Sequence, residues 1–265
     1  MLKAYDAGRI FGERTGAGAP WVLALHGWGR SRRDFDSVLA ASAAPGDAAG
    51  PATATGPVDA VALDLPGFGS TPAPPEGWGS ADYARAVVPV LAEMVEEAGR
   101  PAVLLGHSFG GRVAVHLAAG WPDLVGALVL TGAPLARVGT GARPPSRPFR
   151  VGRALHRRGL IGKQAMERLR RRYGSADYRA ATGVMRDVLV RLVNEGYEAE
   201  LAALAGPVEL VWGAEDAEVP LSVGEALSAA LDGRARLTVC PGVGHLTPVE
   251  APETLRQAVE RHRDR

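Results

Sequence analysis

An α/β fold, with a mostly parallel sheet covered by helices on both faces, is what this 265-residue sequence predicts, on three observations. Short, continuously apolar runs recur along the chain with helical patterns between them. One run breaks into a Gly-x-Ser-x-Gly turn and continues directly into a helix. The alternation stops once, over residues 135–201, where no strand-like run occurs. Continuous rather than alternating apolar character marks strands buried on both faces, the condition of a parallel sheet, and in such sheets ligands gather at the carboxyl ends of the strands.

Residues 8–14 predict an early edge strand, and Trp21–Leu25 a buried one ending in His26-Gly27-Trp28-Gly29, where glycines leave backbone N–H groups free to face a ligand. A short helix follows around Phe35–Ala41. Residues 42–57, rich in Ala, Gly and Pro without apolar period, read as a flexible surface insertion. Val58–Leu63 is the next strand and ends in Asp64-Leu65-Pro66-Gly67-Phe68-Gly69. A helix then carries Val87, Leu91 and Met94 on its inner face, with Ser80 as N-cap and Pro89 as a kink. Ala102–Leu105 runs into Gly106-His107-Ser108-Phe109-Gly110 and the helix after it, and Ala127–Thr131 is a further strand. The clearest helix of the interruption places Tyr178, Ala181, Met185, Val188 and Leu192 on one face behind Ser175 as its cap. The α/β pattern returns with a strand at Val208–Trp212, a helix with Ser222 and Glu225 at capping-box spacing, a strand at Ala235–Cys240 and a last helix opened by Pro252. The expected organisation is a core of residues 1–134 and 202–265 with a helical cap, or lid, at 135–201.

The single cysteine, Cys240, excludes an intramolecular disulfide; Met1–Gly8 lacks the apolar stretch of a signal peptide, and no run approaches the ~18 apolar residues of a membrane span. A cytoplasmic location is expected. With a net charge of +1, neither a nucleic-acid nor a membrane partner is expected. No His/Cys cluster has metal-ligand spacing and no glycine string sits correctly for a dinucleotide, so no metal or cofactor is expected either. The charge is unevenly placed: residues 137–200 hold 15 arginines and lysines against 6 acids. A solvated helical face accounts for that excess, and so does a field favouring anionic substrates.

A Gly-x-Ser-x-Gly string alone is weak in a chain with 34 glycines; the strand before it and the helix after it give it weight. Such a turn holds the serine in a strained conformation that lifts its hydroxyl clear of the sheet, and a Cβ at the flanking positions would collide with the neighbouring strand and helix. A serine hydroxyl is a poor nucleophile until a base takes its proton, and the base needs a group that fixes its tautomer. Six histidines are available. His26 and His107 adjoin glycine turns, His116 lies in the helix after the serine, His156 in the interruption and His262 near the C-terminus. His245, in the glycine-flanked loop after the last strand, is the one placed to set an imidazole over the sheet. For the acid, Glu215, Asp216 and Glu218 share one loop, and spacing alone does not choose among them. Asp64 reads as a structural residue of its own loop, Cys240 as a core filler and Arg112 as a helix-surface anchor.

With these motifs in order, the sequence resembles the α/β-hydrolase family, whose triad runs Ser, acid, His along the chain. The family's Trp-Gly-x-x-Asp-x-x-x-Pro pattern falls on Trp212, Gly213, Asp216 and Pro220, which selects Asp216. His26–Gly29 match its oxyanion loop, Asp64–Gly69 its Asp-x-Pro-Gly-x-Gly loop and Gly242–His245 its histidine loop. The resemblance covers roughly residues 1–134 and 202–265. It implies a cap inserted after the sixth strand, Ser108 as nucleophile, His245 as base, Asp216 as its partner, and the backbone N–H groups of Trp28 and Phe109 as the oxyanion hole. Relatives that open epoxides or haloalkanes carry aspartate where this chain has Ser108. Those that remove N-terminal proline carry tryptophan where it has Phe109. What remains implied is cleavage of an ester or related acyl bond of a small molecule through an acyl-enzyme; C–C hydrolases of meta-cleavage products and cofactor-free perhydrolases share the pattern. The fold also hosts ligand receptors that keep the triad, and steady turnover of a simple ester separates them from enzymes.

Overall fold

The structure, a computed structural model, describes residues 2–43, 54–136, 147–173 and 176–264. Its main sheet has eight strands: β1 Leu2–Tyr5, β2 Ile10–Thr15, β3 Val22–Leu25, β4 Ala60–Asp64, β5 Ala102–His107, β6 Val125–Thr131, β7 Val208–Gly213 and β8 Ala235–Cys240. Their order across the sheet is β1-β2-β4-β3-β5-β6-β7-β8. From β4 to β8 all pairings are parallel, while β1–β2 and β2–β4 are antiparallel. Every residue of β3, β4, β5 and β7 is buried, which is why these strands read as unbroken apolar runs. The carboxyl ends of the six parallel strands line one edge of the sheet, and β3, set between β4 and β5, is where the strand order reverses. A crevice for ligands opens at such a reversal.

Several local expectations are corrected. The strand expected at 8–14 is β2, but it is not the edge: β1 pairs outside it, with Leu2 opposite Glu13 and Tyr5 opposite Ile10. Only Tyr5 of β1 is buried, so hydrophobic pattern gave no signal there. Helix α1 spans Ser80–Ala98 and is preceded by Gly79, whose N–H donates to the Asp82 carboxylate at 2.8 Å. Ser80 therefore is not the cap; its hydroxyl lies 3.3 Å from that of Tyr197. The helix is continuous through Pro89, which sits on the exposed face, where the Arg85 carbonyl that loses its donor can reach solvent. The helix at Leu221–Ala230 begins after Pro220, so Ser222 lies inside it and makes no cap. Of the 42–57 insertion, residues 44–53 lie outside the described residues; Ser42–Ala43 and Ala54–Thr55 form a short antiparallel ladder. Its flanks are tied by buried Arg256, whose guanidinium donates to the carbonyls of Ala40 and Gly56.

The chain divides into two compact units. The first, residues 1–73, 79–138 and 196–265, contains the sheet, α1, and α2 (Phe109–Gly120). The helix Glu198–Ala203, expected in the insertion, groups with it. The second unit comprises residues 74–78 and 139–195. In it α3 (Arg147–Arg157) packs on α4 (Lys163–Tyr173), close enough that a Cβ on Gly152 would strike Leu169. The single helix expected through Tyr178–Leu192 is broken into Ala176–Ala180 and Gly183–Leu192. Between them Thr182 is extended, and the second helix starts at Gly183 with φ +51°, a left-handed conformation. The expected cap Ser175 lies outside the described residues. Glu167 organises this unit: it accepts from the Tyr178 hydroxyl at 2.5 Å and from Arg186 at 3.3 Å.

Candidate active site

The turn from β5 into α2 carries the first element of the site. Ser108 has φ +49° and ψ −108°, a conformation costly to a residue with a Cβ and held here by its surroundings. The glycines around it are there for space. A Cβ on Gly106 would come within 2.7 Å of Gly111 Cα, and one on Gly110 would overlap the Leu25 carbonyl at the end of β3. The Ser108 N–H donates to Thr131 O at 2.9 Å, so the serine is anchored to the end of the adjacent strand β6.

The candidate base and its candidate acid arrive from the next two strands. Asp216, in the turn after β7, is buried at 5% exposure and half-buried His245 follows β8. The His245 Nδ1 is 2.8 Å from Asp216 Oδ2, while Asp216 Oδ1 accepts from the N–H groups of Glu218 at 2.9 Å and Val219 at 2.8 Å. An ionised carboxylate is acceptor-only, so it fixes the neutral imidazole as the Nδ1–H tautomer and leaves Nε2 bare. Both groups rest on Gly132: a Cβ there would lie 2.9 Å from His245 Cε1 and 3.4 Å from Asp216 Oδ2. Gly132 follows directly on Thr131, whose carbonyl holds Ser108. The carboxyl ends of β5, β6, β7 and β8 thus converge on one spot. Of the three acids left open by spacing, Asp216 is the buried one at Nδ1; Glu218 is 70% exposed in its side chain, 3.6 Å from Nε2, and Glu215 is exposed.

The His26–Gly29 turn is rigidified from below. Leu65 N–H donates to His26 Nε2 at 3.0 Å, which leaves the ring proton on Nδ1 to donate to Gly27 O at 2.7 Å. Burial lowers the His26 pKa and keeps the ring neutral. Gly27 O also accepts from Arg30 N at 3.2 Å. Because the peptide is planar and trans, a carbonyl held this way aims the N–H of Trp28 in the opposite direction. Phe109 is the first residue of α2, and its N–H has no intrahelical acceptor. Asp64, fully buried, accepts from the Arg32 N–H at 3.0 Å, the Arg32 guanidinium at 2.5 Å and Ser70 N–H at 2.8 Å, joining its own loop to the segment that follows Trp28. Over these turns stand Trp28, Phe68, Phe109 and Tyr83 in edge and tilted contacts, with ring centroids 4.9–6.0 Å apart.

Sequence reasoning missed the aromatic partners Phe68 and Tyr83 and the bracing done by Arg32 and His26; the glycine loop beside His26 was the only available signal. Cys240 is buried, as a core filler should be, and the Arg112 guanidinium lies 5.8 Å over the Tyr197 ring. Among the described residues no group of three His, Cys, Asp or Glu side chains could hold a metal ion, and no helix is long and apolar enough to cross a membrane.

The model of the alpha/beta hydrolase family matches residues 22–258. The chain belongs to the alpha/beta hydrolase family. Its eight-stranded order and the motifs at the strand ends are those of this family's fold. Among curated relatives, it is 32% identical over 249 residues to a pimeloyl-[acyl-carrier protein] methyl ester esterase of Neisseria meningitidis, covering 84% of this chain and 70% of that one. It is 27% identical over 281 residues to a 2-hydroxy-6-oxononadienedioate/2-hydroxy-6-oxononatrienedioate hydrolase of Cupriavidus pinatubonensis, covering 95% and 89%. A more local match, 36% identical over 130 residues, covers 49% of this chain and 38% of the esterase Rv0045c of Mycobacterium tuberculosis. Among solved structures, the esterase RhEst1 from a Rhodococcus species superposes with a TM-score of 0.65 at 26% identity, covering 98% and 97%.

Proposed function

We propose that this alpha/beta hydrolase is a serine hydrolase that cleaves an ester or related acyl bond of a small molecule through an acyl-enzyme, with Ser108, His245 and Asp216 as its triad. The observation that carries the reading is the 2.8 Å bond from His245 Nδ1 to a buried Asp216 carboxylate, seated on the residue next to the carbonyl that holds Ser108. Nε2 takes the Ser108 proton as Oγ attacks the carbonyl carbon, and Asp216 stabilises the imidazolium that forms. The negative charge that develops on the carbonyl oxygen is received by the N–H groups of Trp28 and Phe109; one such donor is worth about 2.7–4 kcal/mol in the transition state. Imidazolium then protonates the leaving alkoxide, the acyl group stays on Ser108, and His245 activates a water for deacylation. Trp28, Phe68 and Phe109 wall the acyl side with aromatic surface.

The substrate is a small-molecule ester, and the enzyme works without a resident cofactor, in the cytoplasm, with residues 135–201 as its helical cap. The similarity along 95% of the chain to a hydrolase of 2-hydroxy-6-oxononadienedioate favours one second reading, hydrolysis of a C–C bond next to a carbonyl by the same triad. Steady turnover of p-nitrophenyl esters of graded chain length, compared with loss of absorbance of a meta-cleavage dienolate, tests both. The proposal expects ester turnover well above dienolate turnover, and the reverse ranking would replace it. A single turnover that stops at one equivalent would point to a receptor.

A further inference from the structure

The triad reading assigns no task to His107, although that side chain, set at the nucleophile turn, touches both the His245 loop and the oxyanion turn. His107 immediately precedes Ser108, at the last position of β5. Its Nε2 lies 2.9 Å from the backbone oxygen of His245, and its ring packs against the His245 ring with centroids 4.9 Å apart and planes at 49°. On the other side it presses on the oxyanion turn: a Cβ on Gly27 would lie 2.8 Å from His107 Nδ1. A carbonyl oxygen only accepts, so Nε2 carries the ring proton and Nδ1 is bare. Among the described residues Nδ1 meets no hydrogen-bond partner, and the residue is 1% exposed. The ring is thus committed to one donor and one acceptor of it.

We infer that His107 is a positioning residue, whose Nε2–H holds the backbone of the base residue His245 at a fixed distance from the nucleophile turn. The inference rests on the triad reading above. Asp216 fixes the side chain of His245 at Nδ1, and the place of that ring over the nucleophile turn also depends on where its own backbone is held. The neighbouring backbone of its loop is pinned by Glu215 N–H to Val243 O at 2.9 Å and by Gly244 N–H to the Glu250 carboxylate at 2.8 Å, and the bond from His107 adds a hold on the His245 carbonyl itself. Because His107 and Ser108 are consecutive, this bond ties base and nucleophile to the same stretch of backbone. Burial and the neighbouring His245 push the His107 pKa down to about 4, so at neutral pH the ring carries one proton, at the atom the geometry requires. A misplacement of about 1 Å between reacting groups costs on the order of 100-fold in rate.

Three substitutions separate positioning from mere filling of space. His107→Phe keeps a ring without a donor. His107→Gln places an amide N–H₂ near the former Nε2 without a ring. His107→Asn carries a donor too short to reach the His245 carbonyl. Active sites are counted by a fluorophosphonate probe, and kcat is expressed per labelled site on a p-nitrophenyl ester. The inference expects per-site kcat to fall about 10- to 100-fold in the Phe and Asn variants, with KM within about threefold. The Gln variant should stay within about fivefold of the unsubstituted enzyme. If the Phe variant does not fold, the contrast between Gln and Asn carries the test. Per-site kcat within twofold in Asn or Phe, whatever the loss of thermal stability, overturns the inference and leaves His107 as packing; so does an equal loss in Gln and Asn. Failure of the probe to label Ser108 in the unsubstituted enzyme would instead remove the triad reading beneath it.

Discussion

Replacing Asp216 by asparagine changes one atom and, by the geometry of the site, the tautomer of His245, the proposed base. Asp216 accepts three hydrogen bonds: two at Oδ1 from the Glu218 and Val219 amides, one at Oδ2 from His245 Nδ1–H. An asparagine has one acceptor oxygen and one amide nitrogen to divide between these sides. Turning its nitrogen toward the two backbone amides would strand both donors, and the buried Val219 N–H alone would cost about 1–3 kcal/mol. The oxygen therefore stays with the backbone and the NH₂ faces His245. Nδ1 must then accept, the ring proton moves to Nε2, and the atom that should take the Ser108 proton is occupied. The fold is retained because both backbone bonds survive. A triad aspartate amidated in another serine hydrolase lost about 10⁴ in kcat through the same tautomer change, and about 10⁴, or about 5.4 kcal/mol, is expected here. Glu218→Gln and Glu215→Gln, at exposed side chains, should change kcat less than fivefold. The assay is steady-state hydrolysis of a p-nitrophenyl ester at pH 7.5, with circular dichroism to verify folding. Retention of more than a tenth of the activity by Asp216→Asn, or a crippled Glu218→Gln, would refute the reasoning.

Gly132→Ala should lower kcat at least tenfold and reduce thermal stability: the position has φ +55° and its new Cβ would stand 2.9 Å from the His245 ring, so a fully active alanine variant would mean that the base does not rest there. Stability should fall with acid before the carboxylates titrate. His107 titrates at about 4 folded against ~6.5 unfolded, so between those values the unfolded chain binds the extra proton and stability is lost as pH drops from 6.5 to 4, by about 3 kcal/mol. His26, its pKa also lowered by burial, acts in the same direction; urea titrations at pH 7 and 4.5 should show a gap that narrows in His107→Gln, and an unchanged gap would contradict the assignment. The arginine excess of residues 137–200 predicts that a carboxylate-bearing ester has a higher kcat/KM than its neutral isostere at about 20 mM salt, with the advantage shrinking by about 500 mM; equal, salt-insensitive values would leave a solvated face as the whole account.

What the sequence made legible followed from burial and from motif context. β3, β4, β5 and β7 are covered on both sides, so their apolar runs were unambiguous, and Ser108 was visible because strand, glycine turn and helix must occur together for its strained φ. β1 was invisible because only Tyr5 of it meets the core. Gly79 as the start of α1, and the break at Thr182–Gly183, depend on backbone conformations that hydrophobic period does not encode. The pairing of Asp216 with His245 was reached through a family pattern; the residues alone left three acids open, since choosing needs burial and the direction of Oδ1 and Oδ2. The bracing by His26, His107, Arg32 and Arg256 was out of reach, because each bonds a group distant in sequence: the Leu65 N–H, the His245 carbonyl, the Asp64 carboxylate, and the Ala40 and Gly56 carbonyls.

The central claim is that a covalent acyl group is carried on Ser108, and it is tested most directly by intact-mass spectrometry of the enzyme after a short mixing with excess p-nitrophenyl ester and an acid quench. One acyl adduct per chain is predicted, mapping to the peptide that contains Ser108 and absent from Ser108→Ala. An adduct that maps to another residue, or stoichiometric acylation of Ser108→Ala, would contradict the account.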